Sequence, residues 1–86
     1  MSEFASKISI IGLGVVGLAT AVGFAQKGRQ VVGIDINADK VKAINQGESP
    51  IHEPELAEAL RRSPVVATTD FEATLDTDIS ILCGGT

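Results

Sequence analysis

The chain is poor in several residue types, and each shortage excludes a class of protein. Cys83 is the only cysteine among 86 residues, so no internal disulfide can form, which fits a reducing compartment. His52 is the only histidine, and a single cysteine with one distant histidine cannot complete a zinc site, so we predict no metal. Aromatic residues make up 3% of the chain, all of them phenylalanine. The core must therefore consist of Ile, Val, Leu and Ala, which is usual for a buried parallel sheet.

Charge and hydropathy exclude two further classes. The chain carries 7 Lys and Arg against 11 Asp and Glu, for a net charge of −4, and its basic residues are scattered. Without a basic stripe to neutralise a phosphate backbone, we expect no nucleic-acid partner. No apolar run approaches the roughly 20 residues that span a bilayer. The first residues, MSEFASKIS, lack the charged-then-apolar order of a signal peptide, so we expect a cytoplasmic protein with no membrane partner.

Short apolar runs recur along the chain and predict four strands separated by helices. The strands are expected at Lys7–Gly12, Gln30–Asp35, Val65–Thr68 and Asp78–Gly84. The helices are expected from Val15 to about Lys27, over Ala38–Asn45, over Pro54–Arg62, and in a short segment through Leu75. The expected helix signals are Gly28 as terminator of the first, Asn37 as N-cap of the second, and Thr69 with Glu72 as capping box of the last.

This alternation of strand and helix predicts right-handed βαβ units. The predicted fold class is α/β, a three-layer Rossmann-like parallel sheet truncated to about four strands. A complete domain of this type has about six strands. We therefore expect residues 1–86 to be the N-terminal part of a dinucleotide-binding domain within a longer protein.

Three glycines stand between the first strand and the first helix in the spacing G-x-G-x-x-G. Gly12 allows a tight turn out of the strand, and Gly14 lets the backbone approach a pyrophosphate closely. Gly17 lets the helix pack tightly on the sheet. The start of the helix then offers free N–H groups and the positive end of its dipole to phosphates. The same glycines would serve a tight turn that binds nothing.

An aspartate follows the second strand at the position that such a site requires. Asp35 lies roughly 20 residues beyond the glycines, where a carboxylate accepts hydrogen bonds from the adenosine ribose. Because a carboxylate repels a 2′-phosphate, we predict NAD rather than NADP as the cofactor. Lys40 lies on the first turn of the next helix and could reach the adenosine end. The alternatives are a capping role for Asp35 and a surface role for Lys40.

Three further residues, His52, Glu53 and Cys83, could be given a catalytic interpretation. His52 and Glu53 could form an acid–base pair, but a loop histidine without a nucleophilic partner is more often polar surface. We expect Glu53 to precede Pro54 as an N-terminal cap. Cys83 lies in an apolar strand, where a free cysteine is usually a small buried hydrophobic residue. No catalytic residue is therefore predicted in this chain.

Several segments together resemble the UDP-glucose/GDP-mannose 6-dehydrogenase family. They are ISIIGLGVVGLATAVGFAQKG, INQGESPIHEPEL and ILCGGT, in that order, and the second is the most specific. Such enzymes oxidise the C6 alcohol of a UDP- or GDP-hexose to a carboxylate with NAD+, for polysaccharide biosynthesis. The resemblance implies cofactor contacts at Val15 and Val16, at Asp35 and Lys40, and at Thr86.

The resemblance also implies what the chain lacks. The catalytic cysteine of the family, with its lysine and asparagine helpers, is expected further along, so we predict that this chain alone is inactive. The nucleotide sugar would bind only to the full-length protein, which we expect to be a homo-oligomer. Two alternatives remain open: a stand-alone, non-catalytic module for NAD or an adenine nucleotide, and part of another dehydrogenase of the 3-hydroxyacyl-CoA or 6-phosphogluconate type. The SPIHEPEL segment argues against the second alternative.

Overall fold

The computed structural model describes residues 7–83. Within this range four strands, three α-helices and one 3₁₀ helix follow one another. They are β1 (Lys7–Ile11), α1 (Val15–Gln26), β2 (Gln30–Ile34), α2 (Ala38–Asn45), α3 (Pro54–Arg62), β3 (Val66–Thr68), the 3₁₀ helix (Phe71–Asp76) and β4 (Ile79–Leu82). The predicted bounds of α2 and α3 are confirmed, and those of α1 and the strands differ by one or two residues at most within this range.

The four strands form one parallel sheet in the order β3-β2-β1-β4. The chain moves outward from β1 to β3 and then crosses back to place β4 on the other side of β1. This is the order of the first strands in a doubly wound dinucleotide-binding sheet. The predicted α/β fold with a four-stranded parallel sheet is therefore confirmed.

The hydrophobic core lies between the sheet and the three α-helices. Ile8 and Ile10 of β1 are buried at its centre. Each helix contributes residues spaced three or four apart, which place apolar side chains on one helix face. These residues are Leu18, Ala21 and Val22 of α1, Val41 and Ile44 of α2, and Leu56 and Leu60 of α3.

The opposite face of the sheet is covered by the 3₁₀ helix. This helix contacts β1 and β2, and Val32 and Ile34 are buried on that face at 6% and 0% exposure. Leu75 of this helix and Leu82 of β4 remain open to solvent, at 81% and 79% exposure. The sheet thus has thick helical cover on one side and thin cover on the other.

A chain of hydroxyl groups joins β1, β4 and the 3₁₀ helix. Ser9 is fully buried, and its Oγ lies 2.7 Å from Ser80 Oγ and 3.0 Å from Thr77 Oγ1. Thr77 Oγ1 in turn donates to the carbonyl oxygen of Thr74 at 2.7 Å. Because Ser9 and Ser80 are also register partners in the sheet, these hydrogen bonds favour one alignment of β4 against β1.

The segment after β3 differs from its prediction. The expected capping box of Thr69 and Glu72 is wrong, because Asp70 is the N-cap and its Oδ1 accepts the Glu72 N–H at 2.9 Å. The helix begins one residue later, at Phe71, and is a 3₁₀ helix. An aspartate accepts a hydrogen bond from the backbone two residues ahead more readily than a threonine does, so the nearer carboxylate takes this role.

Two glycines of α1 have opposite surroundings. A Cβ on Gly17 would lie 1.7 Å from the carbonyl oxygen of Gly12, so the helix touches the preceding turn with its bare backbone. A Cβ on Gly23 would meet nothing within 4 Å. Only the first of these glycines is therefore required by packing.

This contrast predicts opposite effects of the same substitution. Gly17→Ala is expected to lower the free energy of unfolding by about 3 kcal/mol or more, because backbone atoms must move apart. Gly23→Ala is expected to raise it by about 0.5–1 kcal/mol, because alanine loses less backbone entropy in a helix. Urea denaturation followed by circular dichroism measures both, and equal effects would contradict the packing described.

The hydroxyl chain gives a second stability prediction. Ser9→Ala is expected to lower the free energy of unfolding by about 1–2 kcal/mol, because it leaves two hydroxyl groups without their shared partner. Ser80→Ala is the matched control, since Ser80 is exposed and Ser9 keeps its contact with Thr77. The same denaturation assay should show a clearly smaller loss for the control, and an equal loss would argue against a central role for Ser9.

Candidate cofactor site

A cleft of about 580 Å³ opens at the carboxyl ends of the strands. In open parallel sheets ligands bind at this edge, next to the point where the strand order reverses. Here that point lies between β1 and β4. The polar side chains of the lining are those of Asp35, Asn37 and Lys40. The rest of the lining consists of Gly12, Ile11, Ile34, Ile36, Phe71, Leu82 and Cys83.

The glycine turn brings the backbone from β1 to α1 in three residues. Gly12 has a φ of 95°, in the left-handed region, and its N–H donates to the carbonyl oxygen of Ile34 at 2.8 Å. Gly14 is the N-cap of α1 and accepts the hydrogen bond from Leu18 N–H at 2.9 Å. The N–H groups of Val15, Val16 and Gly17 precede this first helical hydrogen bond, so they point out of the helix end.

The start of α1 carries no negative side chain of its own. Gly14 cannot cap it with a side chain, and its first turn contains no acidic residue. By contrast, Asn37 caps α2 and Asp39 lies in the first turn of that helix. Val15 and Val16 are 58% and 68% exposed. The positive end of the α1 dipole is therefore open to an anion from outside.

Asp35 lies immediately after β2 and is held by backbone groups on two sides. Its Oδ2 accepts the N–H of Leu13 at 2.8 Å, and its Oδ1 accepts the N–H of Asn37 at 2.9 Å. Lys40 Nζ lies 3.5 Å from Oδ2, and the Asp35 side chain is only 12% exposed. The carboxylate is thus fixed in direction before any ligand arrives.

The protonation of Asp35 reflects these contacts. Burial by itself would raise the pKa of the Asp35 carboxyl group. The hydrogen bonds from Leu13 and Asn37, together with the charge of Lys40, outweigh this effect and lower the pKa below its ordinary value. Asp35 is therefore ionised at neutral pH and acts there only as a hydrogen-bond acceptor.

The structure reveals two site residues that sequence reasoning missed. Leu13 lies between the motif glycines with its side chain fully buried, and its N–H holds Asp35. A Cβ on Gly33 would come within 2.9 Å of both Leu13 Cδ atoms, so this glycine makes room for the leucine. A glycine inside an otherwise β-branched strand was the available signal, since it often marks a close approach.

The predicted site residues within 7–83 gather at one edge of the sheet. Gly12, Asp35 and Lys40 line the cleft, and Gly14, Val15, Val16 and Gly17 form the adjoining turn and helix start. Val15 also lines a separate groove between α1 and α3. The prediction for Thr86 lies outside the described residues.

Of the other candidates, His52 and Glu53 lie apart from this cleft, whereas Cys83 belongs to its lining. His52 and Glu53 are exposed and line a separate surface groove with Pro54. Glu53 is the N-cap of α3, as expected, although its side chain makes no capping hydrogen bond. Cys83 is buried at 9% exposure, which agrees with its expected role as a small apolar residue.

Within residues 7–83, no group of three or more His, Cys, Asp or Glu residues is placed to hold a metal ion. No helix in that part is both long and apolar enough to cross a membrane.

The known sequences that resemble this chain agree on its family. Residues 6–86 match the UDP-glucose/GDP-mannose dehydrogenase family, NAD binding domain. The UDP-glucose 6-dehydrogenase of Haloferax volcanii is 47% identical over 79 residues, which cover 88% of this chain and 18% of that protein. The GDP-mannose 6-dehydrogenase of Pseudomonas aeruginosa is 44% identical over 85 residues, which cover 93% of this chain and 20% of that protein.

Comparison with solved structures agrees. A ternary complex of GDP-mannose dehydrogenase from Pseudomonas aeruginosa superposes with a TM-score of 0.85 at 44% identity, covering 92% of this chain and 19% of that one. UDP-glucose dehydrogenase from the hyperthermophilic archaeon Pyrobaculum islandicum gives a TM-score of 0.87 at 38% identity, covering 95% and 20%. The chain therefore spans about a fifth of the length of these relatives.

The family match names a cofactor that the geometry of the cleft suits. The relatives are nucleotide-sugar oxidoreductases, and the cofactor of the matched domain is NAD. In general a carboxylate can accept hydrogen bonds from ribose hydroxyls, and an uncapped helix start can bind phosphate. The chain belongs to the UDP-glucose/GDP-mannose dehydrogenase family, in the part that forms its NAD-binding domain.

Proposed function

We propose that the protein to which this chain belongs oxidises the C6 alcohol of a UDP- or GDP-hexose to a carboxylate with NAD+, and that this chain holds the adenosine and pyrophosphate part of the cofactor. The observation that carries the proposal is the Asp35 carboxylate, held by Leu13 and Asn37 N–H groups at the mouth of the cleft. The relatives, a UDP-glucose 6-dehydrogenase and a GDP-mannose 6-dehydrogenase, support the reaction class.

Asp35 is suited to a ribose diol because it keeps free acceptor positions. A carboxylate has about four lone-pair positions, and each oxygen of Asp35 accepts one backbone N–H. One further position on each oxygen can accept a hydroxyl, provided that Lys40 moves from its place 3.5 Å from Oδ2. Two adjacent hydroxyl groups can therefore bind the two oxygens together, whereas a 2′-phosphate would meet a negative charge.

The remaining predicted residues have roles in the same arrangement. The N–H groups of Val15, Val16 and Gly17 would donate to the pyrophosphate, and Gly12 and Gly14 leave space for it. Ile36, Phe71 and Leu82 form apolar cleft walls that suit an adenine ring. Lys40 would lie near the adenosine, and Thr86 is proposed as a further contact.

The roles proposed for this chain reflect that it spans about a fifth of the length of its relatives. When bound, NAD+ would be the hydride acceptor. The residues described here bind and orient the cofactor, and we propose that sugar binding and the oxidation itself use other parts of the protein, so that this chain alone has no turnover. We further propose a homo-oligomeric full-length protein in polysaccharide biosynthesis, and a cytoplasmic location, which the free Cys83 thiol fits.

Substitution of Asp35 tests the cofactor assignment. Asp35→Asn is expected to weaken NAD+ binding by about 1–3 kcal/mol, the range for loss of a charge-assisted hydrogen bond. Asp39→Asn is the matched control, because it removes the same charge from an exposed residue of α2. Isothermal calorimetry of the two variants with NAD+ gives the comparison.

The same titrations include NADP+. The unmodified chain is expected to prefer NAD+, and Asp35→Asn is expected to reduce that preference because the repulsion of a 2′-phosphate is lost. A chain that prefers NADP+, or an Asp35→Asn variant that is folded and binds NAD+ with unchanged affinity, would contradict the role of Asp35.

The lowered pKa of Asp35 predicts a pH dependence of stability. The ionised form is favoured in the folded chain, so its contribution is complete above the ordinary aspartate pKa of about 3.9 and is lost as pH falls through the lower folded value. The difference in unfolding free energy between the unmodified chain and Asp35→Asn should therefore be constant near neutral pH and shrink below about pH 4. Urea titrations across this range measure it, and a constant difference down to about pH 2 would contradict the assignment.

A further inference from the structure

The backbone at the outer edge of β3 is hydrogen-bonded to the side chain of Asn45. β3 is an edge strand of three residues, and Asn45 is the last residue of α2. Asn45 Nδ2 donates to the carbonyl oxygen of Ala67 at 2.8 Å, and Ala67 N–H donates to Asn45 Oδ1 at 2.7 Å. The carboxamide thus provides both hydrogen bonds that Ala67 would otherwise receive from another strand.

Water is a poor substitute for this carboxamide. Ala67 is buried at 5% exposure, and a buried backbone group without a partner carries a large desolvation penalty. Asn45 itself is exposed, so its truncation would let water reach Ala67, but water does not connect β3 to the end of α2. Loss of the Asn45 carboxamide should therefore loosen β3, whose three residues are then held by their pairing with β2 and their packing against α2.

A displacement of β3 would directly shift the backbone of Asp35. The residue after Ala67 is Thr68, whose carbonyl oxygen accepts the Asp35 backbone N–H at 3.1 Å. On its other side, two residues after Asp35, lies Asn37, the N-cap of α2, whose N–H donates to the Asp35 carboxylate. Both ends of α2 are therefore attached to the neighbourhood of Asp35, one through Asn37 and the other through Asn45 and β3.

We propose that Asn45 is a positioning residue for the cofactor-binding carboxylate: it holds β3 so that Thr68 keeps the Asp35 backbone in place. This inference rests on the proposed role of Asp35. Asn45 itself need not touch the cofactor. Its contribution is to the direction of the Asp35 side chain, and so to the discrimination between a ribose hydroxyl and a 2′-phosphate.

The test compares cofactor preference in the full chain. Asn45→Ala is expected to reduce the ratio of the NADP+ and NAD+ dissociation constants about fivefold, as for other residues coupled through a shared contact. Gln46→Ala is the matched control, because it truncates the next, exposed amide and should leave the ratio unchanged. A purely structural loss of folded protein weakens both cofactors equally, so it does not alter this ratio.

Two additional measurements test whether Asn45 acts on cofactor preference through Asp35. In the Asp35→Asn background, Asn45→Ala should no longer change the ratio, because the carboxylate through which it acts is gone. Hydrogen exchange of the Asp35 backbone amide, followed by NMR, should be about tenfold faster in Asn45→Ala than in the unmodified chain. If Asn45→Ala does not fold, Asn45→Asp is used instead, since it keeps an acceptor for Ala67 N–H and replaces the donor to the Ala67 carbonyl oxygen by a carboxylate oxygen, which cannot donate.

The outcomes separate this inference from the function on which it rests. If the unmodified chain binds neither cofactor, or prefers NADP+, the proposed function fails and the role of Asn45 fails with it. If the chain prefers NAD+ but the folded Asn45 variant keeps the original ratio and the original exchange rate at Asp35, only the positioning role is overturned.

Discussion

The hydrogen bond from Leu13 N–H to the Asp35 carboxylate is the interaction on which the site depends. It ties the glycine turn after β1 to the end of β2, so the two loops that a dinucleotide would bridge are already joined. Leu13 can take part because its side chain is buried against Gly33, which has no Cβ to displace it. A rigid donor on one side and a rigid acceptor on the other reduce the ordering that ligand binding would otherwise require.

The same interaction allows a charge to sit in a mostly buried position. Burial disfavours the ionised carboxylate, but two backbone N–H groups and Lys40 compensate for the lost water. Across the turn, the start of α1 has the opposite character, with open N–H groups and no acidic side chain. Acceptors and donors are therefore separated along one edge of the sheet, which is the polarity that a ribose followed by a pyrophosphate would need.

The two faces of the sheet and its β3 edge are stabilised by different kinds of contact. Among residues 7–83, the core between the sheet and α1, α2 and α3 is continuous and contains no charged side chain. On the other face, the 3₁₀ helix covers β1 and β2, and Ser9 satisfies its buried hydroxyl through Thr77 and Ser80. The edge strand β3 depends on Asn45 at its outer side. The cleft lies where these elements meet, so its geometry is sensitive to residues that do not line it.

Much of this was predictable from local pattern. Periodicity, caps and glycine spacing are local properties, and they were enough to predict the four strands, the bounds of α2 and α3, the glycine turn, and Asp35 with Lys40 close behind it. They could not identify the roles of Leu13, Gly33 and Asn45. Leu13 and Asn45 act on partners 22 residues away along the chain, Asp35 and Ala67 respectively, and which distant backbone groups meet depends on how the whole chain packs. The replacement of the expected capping box by Asp70 has the same origin on a smaller scale, since neighbouring side chains competed for one N–H group and their geometry in the folded chain selected the nearer acceptor.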